Sequence, residues 1–228
     1  SENVLLMKID SIGSTIWIKD YSGINEDAIL DIIELPNKNL VMCGYTSSFG
    51  AGSTDGFVME TDSIGTLIWA KAYGDIFGDA CERIIEDGSG GYYVASYAQE
   101  STGTLGSSVM RIDASGNILW NKWVANYYMS RDITSISSGG VLLSCSHSGT
   151  GPGFTCWKFS SSGVLIWSTD FMSTTGSSSA DDGMSILENS IGDFFINFGI
   201  ANLNTVAQSV DNCIVKLSSS GSVISYKS

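Results

Sequence analysis

The chain has 228 residues, 43% of them hydrophobic and 15% charged, which is enough apolar material to bury the core of a globular domain. It carries 24 acidic and 11 basic side chains, a formal net charge of −13, and this balance disfavours contact with nucleic-acid phosphates or anionic membranes. No apolar stretch approaches the roughly 20 residues that a membrane-spanning helix needs. We therefore expect neither a nucleic-acid partner nor membrane insertion.

The first 20 residues predict half of a repeating unit. Two β-rich runs, residues 4–9 and 15–19, lie on either side of a short turn. The first complete unit follows at about residues 24–73 and contains four such runs, which we name strands A to D. Strands A and B flank a turn at residues 36–39, and strands C and D flank a turn at residues 62–65, so each pair predicts a β-hairpin.

The same four-strand pattern recurs at about residues 76–124, 128–171 and 180–228. In these units the A–B turns fall at residues 87–91, 138–140 and 191–193, which are rich in Gly, Ser and Asp. The half unit at residues 1–20 matches strands C and D alone. We predict that residues 1–228 form a single domain of four full units preceded by this half unit.

A spaced word marks the C–D hairpin of every unit: an acidic residue or Ser, two residues, Gly, three residues, and Trp. Its copies are Asp10/Gly13/Trp17, Asp62/Gly65/Trp69, Asp113/Gly116/Trp120 and Ser160/Gly163/Trp167, while Ser218/Gly221/Ser225 keeps the glycine and loses the tryptophan. We expect each glycine to adopt a positive φ in the turn. We expect each indole ring to pack between neighbouring units.

The spacing of the glycines, 52, 51, 47 and 58 residues, is typical of propeller blades or solenoid rungs. Four antiparallel strands in about 50 residues form one blade of a β-propeller. The sequence therefore predicts an all-β protein, a β-propeller-like array of four-stranded antiparallel blades with four full units plus an N-terminal half unit.

The Asp-x-x-Gly-x-x-x-Trp word resembles the tryptophan-docking element of quinoprotein-like propellers. The fuller unit resembles the repeats of bacterial secreted and surface propellers, in its segments Asp79-Ala80, Asp87-Gly88, Gly44-Tyr45-Thr46 and Asp55-Gly56-Phe57-Val58. This resemblance implies a propeller scaffold, and scaffolds of this kind host many activities. A quinone cofactor is implied only by the resemblance, because we find no polar, cationic pocket residues for it, and we predict no cofactor.

The half unit predicts an unpaired strand edge at residues 4–9, because the matching strands A and B are absent from it. An exposed edge is a template for a further strand. Two explanations are open: the chain is a fragment whose missing strands lie upstream, or the edge binds another subunit and the units continue as a fibre. Lys8 on this strand gives mild edge protection, and the equivalent position in the other units is occupied by Glu60, Arg111, Lys158 and Lys216.

Catalytic residues are scarce, and we assign no catalytic, cofactor-binding or metal-binding residue. His147 is the single histidine and lies in a predicted loop. Asp27, Asp79 and Asp181 open successive A strands, where a ring of carboxylates would suit calcium. Arg131 and Asp132 interrupt that ring in the third unit, however, and we favour local turn capping for the aspartates.

The remaining candidates are aromatic and thiol side chains. Tyr92, Tyr93, Tyr127 and Tyr128 are candidates for stacking on a glycan, although strand tyrosines more often pack in the core. Five cysteines lie inside predicted strands without metal-ligand spacing. Cys145 and Cys156 flank one loop and are candidates for a disulfide, and the alternative is that all five thiols are small buried apolar groups.

These observations predict a non-enzymatic extracellular or cell-surface protein with a structural, adhesion or assembly role, joined through unpaired blade edges. The 38 Ser and 14 Thr residues give it an acidic, hydroxyl-rich surface that is suited to O-glycosylation. The absence of a secretory signal leaves an intracellular chain, a mature chain and a piece of a longer chain as alternatives. The alternative function is a glycan- or cation-binding module, or a quinoprotein-like enzyme domain from a longer polypeptide.

Overall fold

The computed structural model describes residues 4–21, 23–99, 103–125, 127–147, 153–172, 184–201 and 210–227. Within these ranges all regular structure is β-strand, and no helix is present that would be long and apolar enough to cross a membrane. The eighteen strands, numbered in chain order, are β1 Leu5–Ile9, β2 Thr15–Asp20, β3 Asp27–Glu34, β4 Leu40–Thr46, β5 Asp55–Thr61, β6 Leu67–Tyr73, β7 Asp79–Glu86, β8 Tyr92–Gln99, β9 Leu105–Ile112, β10 Ile118–Ala125, β11 Tyr127–Ser135, β12 Val141–His147, β13 Gly153–Phe159, β14 Leu165–Met172, β15 Ser185–Glu188, β16 Phe194–Ala201, β17 Val210–Leu217 and β18 Val223–Lys227.

Neighbouring strands pair antiparallel into five sheets that follow one another along the chain. Sheet 1 contains β1 and β2, sheet 2 contains β3 to β6, sheet 3 contains β7 to β10, sheet 4 contains β11 to β14, and sheet 5 contains β15 to β18. Every pairing joins strands that are consecutive in sequence, so each sheet is a simple meander. This confirms the predicted β-propeller-like array, with four four-stranded sheets and a two-stranded sheet at the N-terminal end.

The sheets pack face to face in chain order. We call the face that is turned toward the preceding sheet the leading face, and the opposite one the trailing face. Between sheets 2 and 3, for example, the trailing residues Val41, Cys43 and Val58 meet the leading residues Val94 and Met110. Two further cores lie between sheets 3 and 4 and between sheets 4 and 5. Alternation along each strand sends successive side chains into different cores, so both faces of an internal sheet are apolar.

The word at each C–D turn fixes the contact between consecutive sheets, as predicted. Its glycines all have positive φ, between 75° and 88°. A methyl group placed on a turn glycine would lie between 2.6 and 3.2 Å from the indole of the preceding sheet. The four glycine and indole pairs are Gly65 with Trp17, Gly116 with Trp69, Gly163 with Trp120 and Gly221 with Trp167. Glycine is therefore required for two reasons: the turn has a positive φ, and the indole of the preceding sheet leaves no room for a side chain.

The first residue of the word closes the turn. The Oδ1 atom of Asp62 accepts hydrogen bonds from the backbone N–H groups of Ile64, at 3.0 Å, and Thr66, at 2.8 Å. Asp10 and Asp113 make the same pair of bonds in their own turns. Ser160 makes the second bond only, through its hydroxyl oxygen to Val164. This position requires a short side chain with an oxygen acceptor, which explains why it is Asp in the first three turns and Ser in the last two.

The first strands of sheets 2 to 5 contact one another in chain order, and those of sheets 2, 3 and 4 carry a bulge. The extra residues are Leu30 in β3, Glu82 in β7 and Arg131 in β11, as the register with the second strand shows. Bulges increase the local twist of a strand. They lie in the first strands, through which successive sheets contact one another, and we call this row of strands β3, β7, β11 and β15 the inner line of the array.

All five cysteines are buried free thiols, so the alternative of five small buried apolar groups is confirmed. A disulfide between Cys145 and Cys156 is not formed. Cys145 lies opposite Thr155, and Cys156 lies opposite Ser144, so the two cysteines are one residue out of register across β12 and β13. Their side chains consequently point to opposite faces of sheet 4, Cys145 into the core shared with sheet 3 and Cys156 into the core shared with sheet 5. Burial raises the pKa of the Cys145 thiol to about 12, which keeps it protonated and unreactive.

Candidate functional site at the two ends of the sheet array

The leading face of sheet 1 is an exposed apolar surface. Its side chains, one from every second position of β1 and β2, are between 52% and 65% exposed: Leu5, Met7, Ile9, Ile16 and Ile18. The equivalent of Met7 in sheet 2 is Met59, which is 2% exposed because sheet 1 covers it. The apolar pattern of an internal sheet is thus retained on a face that nothing covers among the described residues.

The turn of sheet 1 has the geometry of the other turns without the indole. Gly13 has a φ of 88°, and Asp10 closes the turn as Asp62 does in sheet 2. A methyl group on Gly13 would have no heavy atom of the described chain within 4 Å. Gly65 in sheet 2 packs against Trp17, whereas its equivalent in sheet 1, Gly13, is exposed.

The trailing face of sheet 5 is the other end of the array. Leu187 is 64% exposed and Ile214 is 48% exposed, whereas Ile33 and Val58, their equivalents in sheet 2, belong to or pack against a core. Ser225 stands where the other four units have tryptophan and pairs with Lys216 across β17 and β18. This face is more polar than the internal ones, and its contact with a partner would lack an indole.

A basic side chain opposite the tryptophan position binds the next turn in three of the internal contacts. Lys8 Nζ lies 3.5 Å from the carbonyl oxygen of Ser63, an Arg111 N–H donates to Ser161 at 2.9 Å, and Lys158 donates to Ser219 at 3.2 Å. Glu60 is the exception, since its carboxylate accepts a hydrogen bond from the Trp69 indole at 2.9 Å. Lys216 occupies this position in sheet 5 and is paired with Asp193 at 2.8 Å.

The carboxylates considered for a calcium ring cap their own loops. Asp27 accepts hydrogen bonds from Gly23 at 2.7 Å, from Ser48 at 2.8 Å and from Thr46. Although burial opposes ionisation, these bonds together hold the pKa of Asp27 below its usual value. Asp79 accepts from the backbone of Asp75 at 3.0 Å. Asp181 lies outside the described residues.

The register corrects the position that we gave to Asp132. It lies opposite Ser144, as Asp31 lies opposite Cys43 in sheet 2, so it is equivalent to Asp31 and not to Asp27. Among the described residues no cluster of three or more acidic, histidine or cysteine side chains has the geometry of a metal site. The side chain of His147 lies outside the description.

The tyrosines proposed for glycan stacking are buried where they are described. Tyr92 is 3% exposed and belongs to the core between sheets 2 and 3, and Tyr93 is fully buried in the next core. Burial raises the pKa of both phenols. The side chains of Tyr127 and Tyr128 are outside the described set. Neither described ring has a face free for a sugar.

Sequence reasoning missed the carboxylates that link the inner strands. Asp31 accepts the N–H of Ile84 in the next sheet at 3.0 Å, and Asp132 accepts the N–H of Ile186 at 2.6 Å. Between sheets 3 and 4 the link is Glu82, which accepts the N–H of Ser130 at 2.8 Å. Asp31 and Asp132 come directly after the extra residue of their bulges, whereas Glu82 is itself the extra residue in β7. The linking carboxylates therefore do not recur at one fixed position of the repeat, and the sequence spacing gave no signal for them.

Burial is the largest influence on the pKa values of Glu82 and Asp132. It raises the pKa of Glu82 to about 7, against the opposing effects of the Ser130 hydrogen bond and of Arg83 and Arg131. It also raises the pKa of Asp132, again against two backbone hydrogen bonds and the charge of Arg83. Their hydrogen bonds link the first strands of successive sheets and so stabilise the stack.

The comparisons with known proteins add to the fold only. No protein-family model matches the chain, and no curated protein matches it either. Among solved structures, a protein of unknown function from Dyadobacter fermentans is similar with a TM-score of 0.52 and 12% identity over 83% of this chain. The match covers 60% of the Dyadobacter chain, so the protein spans less than two thirds of that neighbour's length.

Weaker similarities were found to two other solved structures. One is an endo-arabinase from Bacteroides thetaiotaomicron, with a TM-score of 0.46 and 10% identity over 85% of this chain and 79% of the other. The other is a protein of unknown function from Bacteroides caccae, with a TM-score of 0.41 and 11% identity over 98% of this chain and 93% of the other.

Proposed function

We propose that the protein is a non-enzymatic extracellular structural or adhesion protein that assembles head to tail through the two ends of its sheet array. The observation that supports this most directly is the apolar leading face of sheet 1, formed by Leu5, Met7, Ile9, Ile16 and Ile18. Contiguous exposed apolar faces are typical of interaction surfaces in soluble proteins. The proposed occupant is the trailing face of sheet 5 in a second copy.

The internal contacts of the chain supply the geometry of the proposed junction. Each internal trailing face packs on a leading face and presses on a turn glycine. In the junction, Leu187 and Ile214 of one copy would pack on the leading face of sheet 1 in the next. Lys216 would reach the carbonyl oxygen of Ser11, as Lys158 reaches that of Ser219 within the chain.

The edge of β1 belongs to the same surface. In the described residues β1 pairs only with β2, and the backbone groups on its other side are available for an added strand. A contact between two different faces of the same protein does not close by symmetry alone, and its repetition builds a fibre. The assembly would therefore grow in one direction, as a filament.

The finer family assignment is part of the same proposal. The Asp-x-x-Gly-x-x-x-Trp word supports a place among the quinoprotein-like or bacterial secreted propellers, since its indole and glycine pack against each other at four contacts. The Ser- and Thr-rich composition and the net charge of −13 favour a cell-surface or extracellular setting. The protein would use the scaffold for assembly and adhesion.

The test is the molar mass of the purified chain as a function of its concentration, measured by light scattering and checked by negative-stain imaging. We expect the mass to rise with concentration and Met7→Glu to lower it, because Met7 is 54% exposed on the proposed surface. Ile68→Glu is the matched control, since Ile68 is 51% exposed on the outer strand of sheet 2. Ser225→Trp should strengthen the association by supplying the missing indole.

Two results would contradict the proposal. One is a monomeric mass across the concentration range with no response to Ser225→Trp. The other is that Met7→Glu associates as strongly as the wild type while Met7→Glu and Ile68→Glu both retain the wild-type melting temperature.

A further inference from the structure

Two equivalent clefts lie between consecutive sheets, on the side where strand A of each unit begins. The first is between sheets 1 and 2 and has a volume of about 540 Å³. The second is between sheets 2 and 3 and has a volume of about 460 Å³. Matching positions line them, since Asp27, Met59 and Leu67 in the first correspond to Asp79, Met110 and Ile118 in the second. The repeat has therefore built the same cleft twice with different side chains.

One cross-strand pair places the aromatic ring differently in the two clefts. In sheet 2, Phe57 of β5 lies opposite Ala72 of β6. In sheet 3 the large and small residues are exchanged, and Ser108 of β9 lies opposite Trp123 of β10. The aromatic ring thus moves from an inner strand, where it fills the floor of the cleft, to the outer strand, where it forms a wall.

Trp123 is held in place by a glycine and leaves a polar floor beside it. A methyl group on Gly106 would lie 2.6 Å from the indole, so the ring packs directly against the backbone of β9. Trp123 is nevertheless 36% exposed. Cys81, Ser96 and Ser108 continue the same row across the sheet, and two of these three positions present a hydroxyl group.

Hydrogen-bonding side chains complete the lining of the second cleft. Asn121 is two residues before Trp123 on the same strand, and Gln99 ends β8. Asp75 and Asp79 lie at one end, where the Asp75 N–H donates to Asp79 at 3.0 Å. An aromatic wall with a few converging carboxylate, amide and hydroxyl groups is the usual composition of a site for a small polar ligand.

We infer that the cleft between sheets 2 and 3 binds one sugar residue of a neutral oligosaccharide. The apolar C–H face of a pyranose ring would stack on the indole of Trp123. Its hydroxyl groups would donate to the carboxylates of Asp75 and Asp79, which accept stronger hydrogen bonds than neutral oxygens do. Asn121 offers both a donor and an acceptor to the same ring.

Two features define which sugars bind and where: the negative charge of the second cleft, and the different lining of the first cleft, which is its sister cleft. Two carboxylates at one end repel a uronic acid, so an acidic oligosaccharide is excluded. The first cleft has Phe49, Phe57 and Met59 among its apolar lining residues. Its polar lining residues include Tyr21, Asp27, Thr46 and Lys71, which already form hydrogen bonds within the chain and so offer fewer partners to the hydroxyl groups of a sugar. We therefore place sugar binding in the second cleft alone.

The test is isothermal titration of the full chain with cellotetraose, maltotetraose and xylotetraose as neutral probes and tetragalacturonate as the anionic control. We expect at least one neutral probe to bind with a millimolar or tighter Kd and tetragalacturonate to bind at least tenfold more weakly. Trp123→Ala should weaken binding tenfold or more. Phe49→Ala, in the sister cleft, should leave it unchanged.

A double variant separates loss of the site from loss of the fold. Ser108→Phe with Trp123→Ala transplants the sister pair Phe57 and Ala72, an arrangement that this fold already accommodates. It should abolish binding while preserving the far-ultraviolet circular dichroism. The inference is overturned if no neutral probe binds at 10 mM at any protein concentration tested. It is also overturned if the double variant binds as the wild type does, or if tetragalacturonate binds equally well.

Discussion

The contact between sheets 2 and 3 and the leading face of sheet 1 are built from the same turn, yet only the first is closed. Gly116 and Gly13 have φ values of 75° and 88°, and Asp113 and Asp10 close the two turns with the same hydrogen bonds. Trp69 covers Gly116, while no side chain of the described chain covers Gly13. The comparison teaches that the turn requires glycine by itself, and that the packing energy comes from the indole.

The largest effect is expected from removing an indole at a closed contact. Trp120 packs against Tyr93 and Phe159, with ring centroids 5.8 and 6.4 Å away, and donates to the Ser161 carbonyl oxygen at 2.9 Å. Trp120→Ala should lower the free energy of unfolding by about 3 to 5 kcal/mol. Urea denaturation followed by circular dichroism measures the change. A loss below about 1 kcal/mol would show that the wedge adds little packing energy.

A matched pair of glycine variants separates turn strain from indole packing. Gly116→Ala places a methyl group 2.8 Å from Trp69 and 2.9 Å from the Tyr73 hydroxyl, in addition to the strain of a positive φ. It should cost about 3 kcal/mol, whereas Gly13→Ala should cost about 1 kcal/mol because only the strain applies. The measurement is the unfolding free energy of both variants in urea. Equal losses would mean that the indole yields freely, or that Gly13 is covered in solution.

The third prediction concerns the pH dependence of the link that Glu82 makes between sheets 3 and 4. Glu82 has an ordinary pKa of 4.5, and burial raises it to about 7 in the fold. The folded state therefore holds the proton more tightly, so this stabilisation is full below pH 4.5 and is lost as the pH rises through 7. Between pH 5 and pH 8 the wild type should lose about 2 to 3 kcal/mol relative to Glu82→Gln.

The readout is the difference between the unfolding free energies of wild type and Glu82→Gln at each pH, because other carboxylates cancel in that difference. A difference that does not change with pH would place the Glu82 carboxyl in a more polar setting than the inner line between sheets 3 and 4.

The smallest effect is expected from the hydroxyl groups that bind the turn carbonyls. Tyr73 donates to Gly116 at 2.8 Å, and Tyr21 donates to Gly65 at 2.6 Å. Tyr73→Phe and Tyr21→Phe should each lower the unfolding free energy by about 1 kcal/mol, the usual loss for one hydrogen bond. Thermal melting of the two variants gives the comparison. A larger loss at Tyr21 would show that the two-stranded sheet depends more strongly on its neighbour than a complete sheet does.

Much of the fold could be predicted from the recurring word, because each of its parts has a local reason. Asp62 and Gly65 serve one turn, and Trp69 lies four residues further on the outer strand, so their spacing survives in the sequence. The bulges were hidden, and the register places Asp132 at the position of Asp31 in sheet 2, four residues further along the strand than Asp27, with which the sequence had aligned it. The sequence could not decide the pairing of Cys145 and Cys156 for a similar reason, because a one-residue difference in register determines the face of the sheet on which a cysteine lies.

The candidate sites were less predictable than the fold. The half unit predicted the unpaired edge of β1 but not its exposed apolar face. Tyr92 and Tyr93, two of the tyrosines proposed for glycan stacking, are buried, and the recurring word does not include Trp123. The pair Ser108 and Trp123 is fifteen residues apart in sequence and acquires meaning only beside Phe57 and Ala72 in the preceding sheet. Nothing local distinguishes an indole that forms a cleft wall from one that fills a core.

The sequence by itself determined the number of sheets, the four-strand order within them and the packing of each indole between neighbouring sheets. These features depend on hydrogen bonds and dihedral preferences within a few residues, and the repeat states them several times. Only the tertiary structure decided which cysteine faces which core, which carboxylate links two sheets and which aromatic ring is exposed. Those outcomes depend on register and on the side chains of a neighbouring sheet about 50 residues away, where packing and desolvation act between groups that have no local relationship.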